Sequence, residues 1–137
     1  MLVVDTSVVV ASLDRQERQH EASRELIEET DERVVLPSPV LCEVDHLIHR
    51  RFGAAAMPRF LTRVLAGELE VVELETGDLS RTIDLMERYA DLDVGFVDAA
   101  VLAIVERLNE PKLATLDRKH FGVMQPRHVD ALEILPA

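Results

Sequence analysis

The chain has 137 residues, 47% hydrophobic and 30% charged, a balance that excludes a disordered polypeptide and suits a single globular domain over residues 1–137. Its formal net charge of -11 excludes a protein that merely coats nucleic acid, because non-specific binding needs Lys and Arg to neutralise phosphates. One cysteine excludes an intramolecular disulfide, no apolar run can span a bilayer, and the N-terminus carries no targeting pattern, so the expected setting is the cytoplasm, with no membrane partner and Cys42 packed in the core.

The opening MLVVDTSVVV puts Asp5 at the end of an apolar strand, Leu2 to Val4. Asp5-Thr6-Ser7 reads most simply as the cap of the next helix, since these side chains accept hydrogen bonds from free amides at a helix start. Glu17 to Glu29 carries a helical stripe through Ala22, Leu26 and Ile27, and Arg33 to Leu36 is a short β-branched strand closed by Pro37. Ser38-Pro39 begins a helix that runs to about Arg51 and ends at Gly53. A further helix covers roughly residues 54–66 and stops at Gly67, before the strand-like Leu69 to Leu74. Helix 78–90 follows, and then a helix from about Phe96 to Leu108 that is apolar nearly all round and should be buried. After Pro111 come the strand Leu113 to Leu116, a polar turn, and a last strand at Leu132 to Leu135. This alternation predicts a parallel sheet covered by helices on both faces, with ligands bound beyond the carboxyl ends of the strands.

Four carboxylates stand in unexpected places. Asp5 and Asp117 each follow a predicted strand, Glu43 lies among apolar residues in SPVLCEVDHL, and Asp98 opens the apolar helix of GFVDAAVLAIV. Each has a structural alternative: Asp5 or Asp98 as a helix cap, Asp98 at the positive end of its helix dipole, Glu43 on a narrow polar edge, Asp117 starting a turn. Taken together they need four coincidences, and burying four carboxylates near one another without a partner is prohibitively costly. A divalent cation removes that cost. Carboxylate oxygens suit Mg²⁺ or Mn²⁺, and Mg²⁺ keeps several waters and leaves room for phosphate oxygens, so such a site fits phosphodiester hydrolysis. Bound cations also reconcile an acidic chain with a polyanionic substrate.

The ordered set VVDTS, SPVLCEVDHL, DVGFVDAAVLA and LATLDRKHF resembles the PIN-domain ribonucleases, and more narrowly the VapC toxins of bacterial VapBC toxin–antitoxin pairs, over nearly the whole chain. The resemblance implies an α/β fold, a three-layer α/β/α sandwich around a central five-stranded parallel sheet. It implies that Asp5, Glu43, Asp98 and Asp117 are the catalytic residues and form the Mg²⁺ site, with Asp5 and Asp98 holding the metal most directly. Thr6, Ser7 and Thr115 then give supporting hydrogen bonds. The function implied is a metal-dependent endoribonuclease, the toxin of a type II pair, cutting tRNA or ribosomal RNA and held inactive by a VapB-like antitoxin whose C-terminal segment blocks the acidic pocket. A homodimer is also implied.

Other polar residues invite a role. His46 follows Glu43 by three positions and can share its helix face, although one histidine with one glutamate more often marks a helix surface. Asp93 precedes Asp98 by five residues, a step that puts it on a different face, and reads as a turn or cap residue. Among the basic residues, which include His120, the pair Arg118 and Lys119 is best placed for RNA phosphates because it follows Asp117 directly. With one Tyr, four Phe and no Trp, a broad base-stacking platform is not expected. Two rival readings remain: a PIN-like module that binds RNA or protein without cutting, and a phosphoryl-transfer domain with Asp5 as an aspartyl-phosphate nucleophile. The latter usually has an acid two residues on, where this chain has Ser7.

Overall fold

In the computed structural model, which describes residues 1–137, the first strand β1 (Leu2–Val3) gives way within three residues to a helix, α1 (Thr6–Leu13). Periodicity does not reveal α1, because Val8, Val9 and Val10 are β-branched and all three are buried. The chain continues as α2 (His20–Glu28), β2 (Val34–Pro37), α3 (Ser38–Phe52), α4 (Ala56–Leu65), β3 (Glu70–Val72) and α5 (Thr76–Arg88). A 3₁₀ turn (Ala90–Leu92), α6 (Phe96–Arg107), β4 (Lys112–Ala114), a single-turn α7 (Arg118–Phe121) and β5 (Glu133–Leu135) complete it. No helix is long and apolar enough to cross a membrane.

Local chemistry explains most boundaries. Pro39 occupies the first turn of α3, where its missing N–H costs nothing, and Gly53 ends that helix at φ +90°, a value L side chains avoid. α5 starts two residues earlier than the apolar pattern suggests because Glu75 and Asp78 form a capping box, each side chain accepting from the other's backbone amide.

All strand pairings are parallel. β2 lies between β1 and β3, with Val3 beside Val35 and Leu36 beside Val71, while β4 pairs with β5 through Leu113 and Ile134. The two ladders meet only at a bridge between Val4 and Ala114, reinforced by the Asp5 amide donating to the Ala114 carbonyl at 2.9 Å. The continuous five-stranded sheet implied above is therefore corrected to a three-stranded and a two-stranded parallel sheet set side by side. The reason is that both central strands end early: the chain bends into α1 directly after Asp5, and β4 stops at Ala114.

From β1 the chain moves outward to β2 and β3, then returns past β1 to β4 and β5, so right-handed crossovers put α1 to α4 and α5 to α6 on opposite faces. The direction reverses between β1 and β4, which opens a crevice at their carboxyl ends. Behind it lies the core. Every residue of α6 from Ala99 to Val105 is buried, as its all-round apolar sequence predicts, and this helix packs most closely on α5.

Candidate active site

Asp5 stands where β1 ends and α1 begins. It occupies the N-cap position, yet its side chain makes no capping bond, so the simple reading of this residue fails. The carboxyl is instead turned into the crevice. Only 3% of the residue is exposed, its Oδ2 accepts hydrogen bonds from Thr115 Oγ1 at 2.8 Å and Ser7 Oγ at 3.3 Å, and its Oδ1 is buried with no partner. Burial pushes the Asp5 carboxyl from 3.8 to about 7; the Thr115 hydroxyl and the neighbouring Thr6 amide oppose this rise, and the charges of Asp98 and Glu43 add to it.

A chain of short-range hydrogen bonds ties this carboxyl to the end of β4. The Asp117 amide donates to Thr115 Oγ1 at 3.1 Å, and the Leu116 amide donates to Ser7 Oγ at 2.9 Å. Thr115 is buried and Ser7 half-buried, so these bonds hold firmly. Across the crevice, Glu43 projects from α3 and its Oε1 accepts from Thr6 Oγ1 at 2.6 Å. Each of the three hydroxyls named from sequence thus contacts one of the four acids directly.

Asp98 is the third residue of α6, in the first turn, where the helix dipole favours a negative charge. Burial still raises its pKa, and the neighbouring carboxylates of Asp117 and Glu43 raise it further, against a hydrogen bond from His120. Asp117 combines two roles: its Oδ1 caps α7 by accepting from the His120 amide at 3.0 Å, and its Oδ2 lies 2.9 Å from His120 Nδ1. The same Nδ1 is 2.9 Å from Asp98 Oδ2, and His120 Nε2 reaches the Leu92 carbonyl at 3.1 Å. Burial works against a charged His120 ring, but the Leu92 carbonyl and the two aspartates outweigh it and raise its pKa.

Asp5, Glu43, Asp98 and Asp117, from four separate parts of the chain, line one open cavity of about 520 Å³. The four carboxylates are chemically apt for a hard divalent cation: they offer oxygen donors, one of them buried and unpartnered, and burial with mutual repulsion raises the pKa values of Asp5 and Asp98. Asp98, Asp117 and His120 also place one donor atom each within 4.8 Å of one another.

The other residues named from sequence divide between the cavity wall and the surface outside it. His46 and Cys42 line the cavity, and Cys42 is exposed there, which corrects its expected place in the core; its helix face looks into the crevice rather than onto the sheet. Asp93 does not line the cavity and takes φ 54° at the end of the 3₁₀ turn, in keeping with a turn residue. Arg118 does not line it either: its guanidinium is drawn to the C-terminal segment, donating to the Pro136 carbonyl at 2.8 Å. Lys119 is exposed and outside the cavity wall. His120 is the residue that sequence reasoning undervalued by grouping it with general basic contacts. The available signal was spacing, because a capping Asp draws the third residue after it close to its own side chain.

A sequence profile for the PIN domain matches residues 2–124. Ribonuclease VapC26 of Mycobacterium tuberculosis is 27% identical over 135 residues, which cover 98% of this chain and 100% of that protein. Among solved structures, Mycobacterium tuberculosis VapC20, a sarcin-ricin loop cleaving toxin, superposes with a TM-score of 0.78 at 20% identity, covering 86% of this chain and 91% of that one. VapBC2 of Rickettsia felis, bound to a DNA fragment from its promoter, superposes with a TM-score of 0.70 at 16% identity over 97% of each chain. These two structures show likeness of fold.

Proposed function

Since this chain belongs to the PIN-domain family, we propose that it is a divalent-metal-dependent endoribonuclease of the VapC type, the toxin of a type II toxin–antitoxin pair. The observation that carries this reading is the convergence of Asp5, Glu43, Asp98 and Asp117 on one cavity, with Asp5 Oδ1 buried and lacking any hydrogen-bond donor. An oxygen in that position calls for a cation.

Asp5 and Asp98 would hold Mg²⁺ or Mn²⁺ most directly, and Glu43 and Asp117 would complete the site or act through water. An ion bound there would supply the charge to polarise the scissile phosphate, activate water and steady the leaving alkoxide. Asp5 must shed its proton to serve, and the hydroxyls of Thr115 and Ser7 then fix the charged carboxylate in place. Thr6 holds Glu43 across the crevice in the same way. Water forms a new bond to phosphorus as the P–O bond to the leaving ribose oxygen breaks and that oxygen takes up a proton, without a covalent protein intermediate, and the acidic walls direct the polyanion to the ion rather than to the protein surface. Similarity to Ribonuclease VapC26 supports RNA as the substrate class, and the family resemblance implies tRNA or ribosomal RNA as its source. Likeness to a VapBC assembly supports a VapB-like antitoxin partner, and the family resemblance implies that its C-terminal segment covers the cavity. A single domain, cytoplasmic and homodimeric, completes the proposal.

The test is cleavage of a mixed RNA pool by wild-type protein and Asp98→Asn, each with Mg²⁺, Mn²⁺ or EDTA. Cutting that requires metal and vanishes in the folded variant is expected. Cutting that survives chelation would overturn the mechanism, and a protein that cuts no RNA under any of these conditions would leave the binding-module reading standing in its place.

A further inference from the structure

His120 does not line the cavity, yet it touches two of its four acids. The Leu92 carbonyl can only accept a hydrogen bond, so Nε2 carries a proton; Nδ1 faces two carboxylate oxygens that also accept, so it carries the proton they share and the ring is an imidazolium. Both aspartate oxygens, at 2.9 Å, lie within hydrogen-bond distance of this single nitrogen. Asp117 is held twice by His120, through Oδ1 by the backbone amide and through Oδ2 by the ring. Asp98 uses only Oδ2 for the ring and keeps Oδ1 without a protein donor. From these contacts we propose that His120 is a positioning residue: its ring, anchored on Leu92, clamps Asp98 and Asp117 into the arrangement that receives a divalent ion in front of them.

Three elements meet at this ring. The 3₁₀ turn supplies the Leu92 carbonyl, α6 supplies Asp98, and α7 supplies His120 with Asp117 as its cap. Without the ring, two carboxylates that repel each other lose the donor they share, and Asp117 keeps only its capping bond. Asp5 is fixed independently by Thr115 and Ser7, so loss of the clamp disturbs one side of the cavity and leaves the other intact. The clamp orients ligating carboxylates from behind, an arrangement whose removal typically weakens metal binding about 10- to 100-fold.

This inference rests on the reading that the cavity binds a divalent ion, and the experiment separates the two. Mn²⁺ is titrated into the full chain and into His120→Ala and His120→Asn, with free Mn²⁺ followed by electron paramagnetic resonance and folding by circular dichroism. His120→Ala is expected to bind about 10- to 100-fold more weakly while folded, and His120→Asn, which retains one donor, to recover part of that loss. Pulsed resonance on the wild type is expected to show bound Mn²⁺ without a directly coordinated histidine nitrogen. A histidine-nitrogen coupling that survives His46→Gln and is lost in folded His120→Asn would make His120 a ligand and overturn the positioning role. So would a folded His120→Ala that binds as tightly as the wild type. If His120→Ala does not fold, His120→Asn and the wild-type spectrum decide. A wild type that binds no Mn²⁺ overturns the metal reading itself, and the clamp with it.

Discussion

The Thr115 hydroxyl donates to Asp5 Oδ2 at 2.8 Å, joining the end of β4 to the end of β1 across the gap where the two sheets barely pair. Thr115 also accepts from the Asp117 amide at 3.1 Å, so one side chain sets the position of two of the four acids. Thr115→Val keeps the shape and removes both bonds. Loss of about 1 kcal/mol in urea unfolding is expected, with metal affinity falling about 10-fold or more in a calorimetric titration. Unchanged Mn²⁺ affinity in the valine variant would show that Asp5 needs no such support.

Stability without metal should decline as pH rises. Below 3.8 Asp5 is protonated in both folded and unfolded chains; between 3.8 and about 7 the unfolded chain releases a proton that burial makes the folded chain keep, so unfolding becomes easier, and the loss levels off above about 7. The raised pKa values of Asp98 and His120 act in the same direction. Urea unfolding in EDTA across this range should show the decline, and Asp5→Asn should flatten much of it. Parallel curves for the two proteins would remove Asp5 as the cause.

Metal should reverse that trend. Because the ion requires an ionised Asp5, the rise in melting temperature on adding Mn²⁺ should be larger at about pH 8 than at about pH 5.5. An equal rise at both values would mean that the ion binds without displacing the Asp5 proton.

The contact between Thr6 Oγ1 and Glu43 Oε1, at 2.6 Å, links α1 to α3 and predicts separable effects of two substitutions. Thr6→Val should weaken metal binding by about 10-fold or more and lower stability by about 1 kcal/mol. Glu43→Gln keeps an acceptor for Thr6 and should abolish RNA cleavage with little change in unfolding. Cleavage at the wild-type rate by Glu43→Gln would exclude that carboxylate from the chemistry.

Far from the cavity, Arg81 and Glu106 form a nearly buried ion pair between α5 and α6, with Arg81 Nε 2.8 Å from Glu106 Oε1 and the Arg127 amide donating to the same carboxylate at 2.7 Å. Arg81→Met strands Glu106 and should cost about 3 kcal/mol or more in chemical denaturation. The surviving folded protein should bind Mn²⁺ normally. A matching loss of metal affinity would show that the two regions are coupled.

Much of this molecule can be read before folding. The four acids are visible because each interrupts an apolar segment or ends a strand, and α6 announces its burial by having no polar face. Alternating strands and helices declare a parallel sheet with its binding edge at Asp5 and Asp117. α1 escapes notice because three consecutive valines favour strand locally, and only packing against the sheet and α3 overrides them. Cys42 looks like core because its neighbours are apolar, but the direction of its helix face depends on where α3 lies.

The amino-acid order by itself determined which residue types were available and which strand ends they would occupy, because side-chain periodicity and chain breakers act over a few residues. Tertiary structure alone decided that Asp5 Oδ1 would be buried without a donor, that Arg118 would turn to the C-terminal segment, and that His120 would stand behind two aspartates. Those outcomes depend on distances between segments up to 110 residues apart, set by how helices pack across the sheets, and no local pattern encodes such distances.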